Sequence, residues 1–358
     1  MGLFSKGVSI LKTDGLQMFI KRIFLYSVVR IKRLFQKKDV ENTIKWRDLK
    51  DKYKGKRVFV VGAGPSINHM PLYYLKDEYT ICFNRINLLF ERINWLPDFY
   101  LVTDDLKVKE IYNDINNEIL DKVKYAFFPD LHPSNVNFKK YIKQRENILW
   151  LNTDSPDYTI DLPKLGINKT VTNGALQIMT YLGFSEIYMI GVDMAFSNRE
   201  IDKKDKRNWK SNKNDDSNHF DPRYDGKGFN FRNPTLEDML NYCNKGKVFF
   251  DQLDVKIYNA TYGGNLDAYT RINFESLFKF SESEKEKLFL DMVYPDKKFK
   301  SFDEILNNVV ILKEPEIRDV KYDFCVGTEI LNDILPKYID SHIPFGPFNS
   351  YYIFKYRL

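Results

Sequence analysis

The stretch Arg57–Asn84, RVFVVGAGPSINHMPLYYLKDEYTICFN, constrains this chain more than any other. Arg57–Val61 is a short run rich in Val and Phe, the pattern of a buried strand. It enters Gly62-Ala63-Gly64-Pro65-Ser66 directly. Thr80–Phe83 reads as a second buried strand ending at Asn84. Strand, glycine turn, helix and strand make a βαβ unit, whose turn leaves helix N–H groups at the carboxyl edge of a parallel sheet. Two glycines let the backbone approach a phosphate or sugar, and Ser66 is placed to cap the helix or bond a phosphate oxygen. A dinucleotide site is excluded. Its fingerprint needs a third small residue and an acid ending the second strand, whereas Ile67 follows Ser66 and the strand ends in Asn84-Arg85. A tight turn without a ligand is the plain alternative.

The same rhythm continues downstream. Asp98–Val102, Tyr125–Phe128, Ile148–Leu151, Ile187–Ile190 and Val255–Tyr258 read as strands, the last of these closing the series. Lys107–Leu120, Asn173–Leu182 and Thr235–Lys245 read as helices. Alternation of this kind predicts an α/β fold, a mostly parallel sheet with helices on both faces. Ligands of such sheets bind beyond the carboxyl ends of the strands. Those ends are small or polar here: Gly62–Ser66, Asn84-Arg85, Thr103-Asp104-Asp105, Gly191–Asp193 and Asn259-Ala260-Thr261. Asp104-Asp105 either holds a metal ion or caps the helix that follows, at Asp105.

The net charge is +6, and it is unevenly spread. Residues 1–38 hold nine Lys or Arg against Asp14 alone, so the rest of the chain is slightly acidic. Within them, residues 17–35 place Phe19, Ile20, Ile23, Phe24, Val28, Ile31 and Phe35 at helical steps, bordered by Lys21, Arg22, Arg30, Lys32 and Arg33. The longest uncharged run is far below the roughly 20 residues that span a bilayer. A basic amphipathic helix suits an anionic membrane surface; packing on its own domain is the alternative. With a body that is not basic, nucleic acid is not an expected partner. Cys82, Cys243 and Cys325 are too scattered for a disulfide framework or a metal set.

Three divisions follow: 1–45, the basic helix and a linker; 46–275, the α/β domain; and 276–358, a helical and aromatic extension. Phe302–Leu312 reads as a helix there, and Phe345–Leu358 holds six aromatics in fourteen residues. Between 197 and 232 the periodicity stops in a long charged stretch, which predicts a structureless lid loop. His219 lies in it, just after an acidic pair, as a candidate general base. It is equally read as an exposed or structural histidine.

VFVVGAGPS at Val58–Ser66, ICFNR at Ile81–Arg85, VTNGALQIMTYLGFSEIYMIGVD at Val171–Asp193, NHF at Asn218–Phe220 and NATYGG at Asn259–Gly264 carry a resemblance. In these pieces, their order and their spacing, the chain resembles the Campylobacter-type sialyltransferase-like enzymes. It is also similar to the motility-associated-factor and MptE-like proteins that share their Rossmann-like core. The resemblance covers about residues 57–265.

It implies a metal-independent, inverting glycosyltransferase that moves a nonulosonic acid such as sialic acid from a CMP-activated donor to a glycan or lipid-linked acceptor. Carried over by position, His219 is the base. Gly62, Gly64, Pro65, Ser66, Asn84, Arg85, Thr103, Asp104, Thr172, Asn173, Gly174 and Asp193 line the donor. The family's tyrosines after the sixth strand are replaced by Met194-Ala195-Phe196-Ser197, which leaves Tyr224 as the leaving-group candidate. The MptE-like branch implies a different chemistry, pterin-type diphosphate transfer with ATP and with Mg²⁺ at Asp104 and Asp105. A non-catalytic nucleotide-sugar binding protein is the third reading. With the basic helix, the first reading sets the protein at the cytoplasmic face of the inner membrane in surface-glycan assembly. Association of copies with one another stays open.

Overall fold

In the computed structural model the alternation of the strands sorts the core into two layers. The description covers residues 16–35, 39–90, 93, 95–197, 201–203, 208–213, 216–232, 235–281, 283–285, 287–288, 309–312, 324–327 and 351–356. Eight parallel strands form one sheet in the order β11-β10-β6-β1-β2-β3-β4-β5. These are β1 (Arg57–Val61), β2 (Tyr79–Phe83), β3 (Phe99–Leu101), β4 (Tyr125–Pro129), β5 (Ile148–Leu151), β6 (Glu186–Ile190), β10 (Lys256–Asn259) and β11 (Thr270–Arg271). β1 is central, paired with β6 from Arg57↔Glu186 to Val61↔Ile190 and with β2 on its other side.

Phe59, Val61, Cys82, Tyr100, Phe128 and Ile190 face one layer, with Val108 and Ile111 of helix α3 (Asp105–Asp114) packed on them. Val58, Val60, Ile81, Phe83, Leu101 and Met189 face the other. That second layer is covered by α2 (Val40–Leu49), α4 (Val171–Tyr181) and α5 (Leu236–Phe250). Strands buried on both faces are the reason the runs read as continuously apolar. The α/β fold predicted from the rhythm is the fold observed.

Four expectations are corrected. The glycine turn is followed by two short 3₁₀ turns, Pro65–His69 and Leu72–Leu75, and not by a regular helix. Pro71 lacks an N–H and holds Met70 extended (φ −102°, ψ 142°), which stops the first turn. The stretch 197–232 is not structureless. Its described residues form an antiparallel sheet of β7 (Ile201–Lys203), β8 (Asn208–Ser211) and β9 (Asn230–Arg232). Trp209 and Phe231 are cross-strand partners with rings edge-on at 5.9 Å, an apolar pair hidden among charges. The strand ending at Asn259 is not the last, because β11 pairs beside it. In the extension, Val309–Leu312 is a strand, joined with Phe324–Gly327 and Tyr351–Tyr356 in an antiparallel sheet. Residues 1–15, 36–38, 302–308 and 345–350, on which other expectations fall, lie outside the described residues.

The polar segment before the first strand forms α2, whose Asn42 closes the sheet. β5 is the edge strand. The Asn42 amide donates to the Trp150 carbonyl (2.9 Å) and its oxygen accepts from the Trp150 N–H (2.8 Å), a side chain standing in for a missing strand. Trp46 Nε1 reaches the same carbonyl at 3.0 Å. Asn42→Ala strands a buried N–H at about 1–3 kcal/mol. Thermal melts of the variant should show a midpoint several degrees lower.

Candidate functional site

The ends of β1 and β6 meet backbone to backbone. Gly62 donates to the Ile190 carbonyl (2.7 Å) and Gly64 to the Gly191 carbonyl (2.8 Å). A Cβ on Gly62 would lie 2.2 Å from the Gly191 oxygen, and one on Gly64 would lie 1.7 Å from Asp193 Oδ2. Gly191 itself sits at φ +64°. These glycines are therefore required by the chain's own crossing. Asp193 uses the space: its carboxylate accepts from Ser66 Oγ (2.9 Å) and from the Ser66 N–H (3.3 Å). The turn after β1 thus already carries an anion, supplied by the protein, where the sequence suggests a phosphate. Burial pushes the Asp193 carboxyl above its ordinary range, and the Ser66 bonds offset only part of that rise. The β10 end joins the crossing, with Asn265 N bonding the Asp193 carbonyl at 2.7 Å and Thr261 Oγ1 accepting from Val192 N at 3.1 Å.

At the end of β2, Asn84 adopts φ 46°. Its buried Oδ1 has no hydrogen-bond partner among the described residues. Arg85 is turned to a structural task. Its guanidinium donates to the carbonyls of Arg223 and Tyr224, lies 3.6 Å from Asp114, and stacks over Phe229 at 4.5 Å.

Arg85 is one of the ties that seat the 216–229 segment on the sheet edge. The Phe220 N–H bonds the Ala63 carbonyl at 2.9 Å, and Asn68 Nδ2 bonds the Phe220 carbonyl at 3.0 Å. His219 is thereby held next to the Gly62–Ser66 turn. Its Nδ1 lies 2.7 Å from Oδ2 of the fully buried Asp216, and its ring stacks on Tyr224 at 4.0 Å. With the Nδ1 proton given to Asp216, Nε2 keeps a lone pair. His219 is about a quarter exposed, so a substrate can reach it. Asp216 also accepts from the backbone N–H groups of Asn218 (3.0 Å) and Asp225 (2.9 Å). Tyr224 is buried under the imidazole. Burial, and then the charge of Asp225, push its hydroxyl well above the usual range, so it stays protonated.

Asp104 caps α3, accepting from Leu106 N (2.7 Å) and Lys107 N (3.3 Å). Arg232 of β9 spans both acids, 2.7 Å from Asp104 and 2.7 Å from Asp105. Asp105 also accepts from Ser134 Oγ (2.8 Å) and faces His132 at 3.6 Å. Burial works to raise the Asp105 carboxyl, but His132, Arg232 and Ser134 outweigh it and hold it below its ordinary range. Further in, Lys107 forms a buried ion pair with Asp225. Asp216, His219 and Asp225 offer ligand atoms within 4.8 Å of one another, a spacing that could take a metal ion, and the Lys107 ammonium already lies against Asp225.

Thr172, Asn173 and Gly174 open α4, where Thr170 caps by accepting from Thr172 N at 3.1 Å. Gly174 packs near Leu101 and Thr103 at the end of β3. Asn173 points into the core: its Nδ2 bonds the Asn168 carbonyl (2.7 Å) and Cys243 Sγ lies 3.8 Å from its Oδ1. The site residues from β1, β2 and β6 therefore meet the 216–229 segment, and Asn173 and Arg85 serve the scaffold. Sequence reasoning missed Asp216, Lys107, Asp225 and Arg232. Asp216 had a local signal, its three-residue spacing from His219; the others meet their partners only through the fold.

A family model described as 6-hydroxymethylpterin diphosphokinase MptE-like matches residues 35–199. The match spans less than half of the chain. It runs from α2 through β6 and includes the glycine turn, Asn84, Asp104-Asp105 and Asp193, while His219 lies beyond it. Among solved structures, the MAf glycosyltransferase from Magnetospirillum magneticum AMB-1 is similar at 17% identity and TM-score 0.41, over 70% of this chain and 40% of that one. The chain thus matches less than half the length of that protein. The Campylobacter jejuni sialyltransferase CstII with CMP-3FNeuAc is similar at 14% identity and TM-score 0.37, over 70% of this chain and 98% of that one. The same enzyme with a trisaccharide acceptor and CMP gives 15% and 0.35, over 63% and 89%. No curated protein matches the chain.

The lowered Asp105 carboxyl makes a signed prediction. A depressed folded-state pKa adds stability above the ordinary carboxylate range and loses it as pH falls through the folded value. Arg232→Met removes one source of that depression. Its melting temperature should fall most against wild type near neutral pH, and the gap should narrow as the pH is lowered through about 4.

Proposed function

We propose that the chain is a transferase with a nucleotide-activated donor, in which His219 is the general base. The observation that carries this reading is the Asp216–His219 pair, seated against the Gly62–Ser66 turn by the Phe220–Ala63 bond. A buried carboxylate on Nδ1 fixes the tautomer and stabilises the imidazolium formed when Nε2 takes a proton. Asp216 is a positioning residue in this scheme. The unpartnered Oδ1 of Asn84 is an acceptor available to a donor N–H or O–H.

The finer reading follows the sequence resemblance: a CMP-activated nonulosonic acid passed to a glycan or lipid-linked hydroxyl. The acceptor O–H gives its proton to His219 Nε2 as its oxygen bonds the anomeric carbon. The bond from that carbon to the donor phosphate breaks, and CMP leaves with the electron pair. Attack from the face opposite the leaving group inverts the centre. Protonated Tyr224 is the candidate donor to the departing phosphate. Its burial beneath His219 means that the ring must shift for the hydroxyl to reach.

The match over residues 35–199 favours a second reading, diphosphate transfer from ATP to a hydroxymethyl group. Mg²⁺ at Asp104 and Asp105 would then have to displace Arg232, which now spans both carboxylates.

Thermal shift with CMP, CDP, UDP, GDP or ATP, each with and without Mg²⁺, separates the readings. A ligand at about 100 times its dissociation constant adds roughly 2.7 kcal/mol. The first reading expects stabilisation by CMP alone. It expects His219→Ala to lose about 10²–10⁴-fold in turnover while keeping nucleotide binding. Asp216→Asn should lower turnover and displace the acidic limb of the pH profile. Stabilisation only by ATP with Mg²⁺, with His219→Ala fully active, would sink it in favour of the second.

A further inference from the structure

We propose that helix α1 (Leu16–Leu34), with a lysine-lined cavity at its carboxyl end, binds the surface of an anionic phospholipid membrane and takes a lipid phosphate headgroup into that cavity. The proposal is independent of the transferase reading. Two separate features meet on one helix.

The first is an apolar face turned away from the protein. α1 touches the body through Val29, which is 3% exposed, and through Arg33, which donates to the Leu131 carbonyl at 2.8 Å and forms an ion pair with Asp154 at 2.7 Å. With about 3.6 residues per turn, Leu16, Ile20, Ile23, Phe24, Ile31 and Leu34 fall on the opposite side. They are exposed, Ile20 at 58%, Phe24 at 66% and Leu34 at 79%. Exposed Lys21, Arg30 and Lys32 border this stripe, and the helix contains no acid. Among the described residues, no helix is long and apolar enough to cross a bilayer. A helix of this make-up lies in the interfacial plane, its apolar side among the acyl chains and its cations at the headgroups.

The second feature is the cavity, of about 480 Å³, between α1 and the segment after β4. Lys32, Lys109, Lys139 and Lys140 line it, with Asn135 and a single acid, Asp130, which Arg33 approaches at 3.4 Å. Asn135 accepts from Lys32 at 2.7 Å, which ties the helix to the cavity wall, and Lys139 reaches Asp39 at 3.3 Å. Lys109 and Lys140 are exposed on its wall. Four ammonium groups around a polar hollow suit a phosphate. The apolar stripe beside them selects a phosphate carried on a lipid over one in free solution.

The full chain is tested by co-sedimentation with vesicles of phosphatidylcholine alone or mixed with phosphatidylglycerol. Binding to the mixed vesicles alone is expected, weakening as salt rises. Lys109→Ala and Lys140→Ala should each weaken it about fivefold, and Ile20→Gln with Phe24→Gln should abolish it. These side chains are exposed, so unchanged melting temperatures verify the fold. Equal binding to both vesicles, or undiminished binding by the Ile20/Phe24 variant, overturns the proposal. Two further outcomes also overturn it. One is a dimer in gel filtration that this variant dissolves, with no vesicle binding, which assigns the face to a second copy. The other is thermal protection by inorganic phosphate or glycerol phosphate with no vesicle binding, which makes the cavity a site for free phosphate.

Discussion

The site rests on the approach of two backbones, Gly62–Gly64 against Gly191–Asp193, at a separation no Cβ could occupy. The strands of a parallel sheet lie about 4.8 Å apart, and the chain leaving β1 must pass over the end of β6. Side chains would force these ends to splay. Without them the Asp193 carboxylate reaches Ser66 and fixes the turn. Everything placed on the turn inherits that order: the Ala63 carbonyl that takes the Phe220 N–H, then His219 beside Phe220. The glycines act on the candidate base through two intervening contacts, without touching a substrate.

The 197–232 segment is held to the edge by polar groups more than by apolar area. Arg85 grips two of its carbonyls, Lys107 meets Asp225 in the interior, and Arg232 bridges Asp104 and Asp105. Buried ion pairs are weak sources of net stability, because desolvation offsets their attraction, but a lone partner left behind is costly. Such ties fix one geometry and resist partial opening. The arrangement suits a histidine that must keep both its tautomer and its distance. A segment fastened mainly through apolar burial could slide by a fraction of a side chain at little cost.

The parallel sheet and its carboxyl edge were legible in the sequence because buried strands leave uninterrupted runs such as VFVV and TICF. The glycines at Gly62, Gly64 and Gly191 were also legible as points of close approach, but not what approaches. A ligand phosphate and a carboxylate from over a hundred residues away make the same local demand. Asn173 reads as a donor residue from its place at a helix start, and only packing shows it bonded to Asn168 in the core. The small sheet of the lid was hidden because Trp209 and Phe231 sit among lysines and aspartates, which dilute a period of two over strands of three and four residues. The Asp104-Asp105 pair does cap the helix that follows, but through Asp104, one residue before the Asp105 that the sequence suggests. Its second use, as the seat of Arg232, depends on a strand that charge composition concealed.

The segment after β4 joins the two ends of the molecule's polar architecture. The Leu131 carbonyl and Asn135 receive Arg33 and Lys32 of α1, and Ser134 in the same short loop donates to Asp105, which holds Arg232 of the lid sheet. A run of charge-assisted bonds, stronger than neutral ones, thus leads from the N-terminal helix to the strand that closes the His219 segment. β4 lies two places from β2 in the sheet, so the segment that lines the lysine cavity and Asn84 both follow carboxyl ends of strands in one parallel sheet. The loop between β4 and β5 thus ties α1 and the lid sheet to the same end of the parallel sheet.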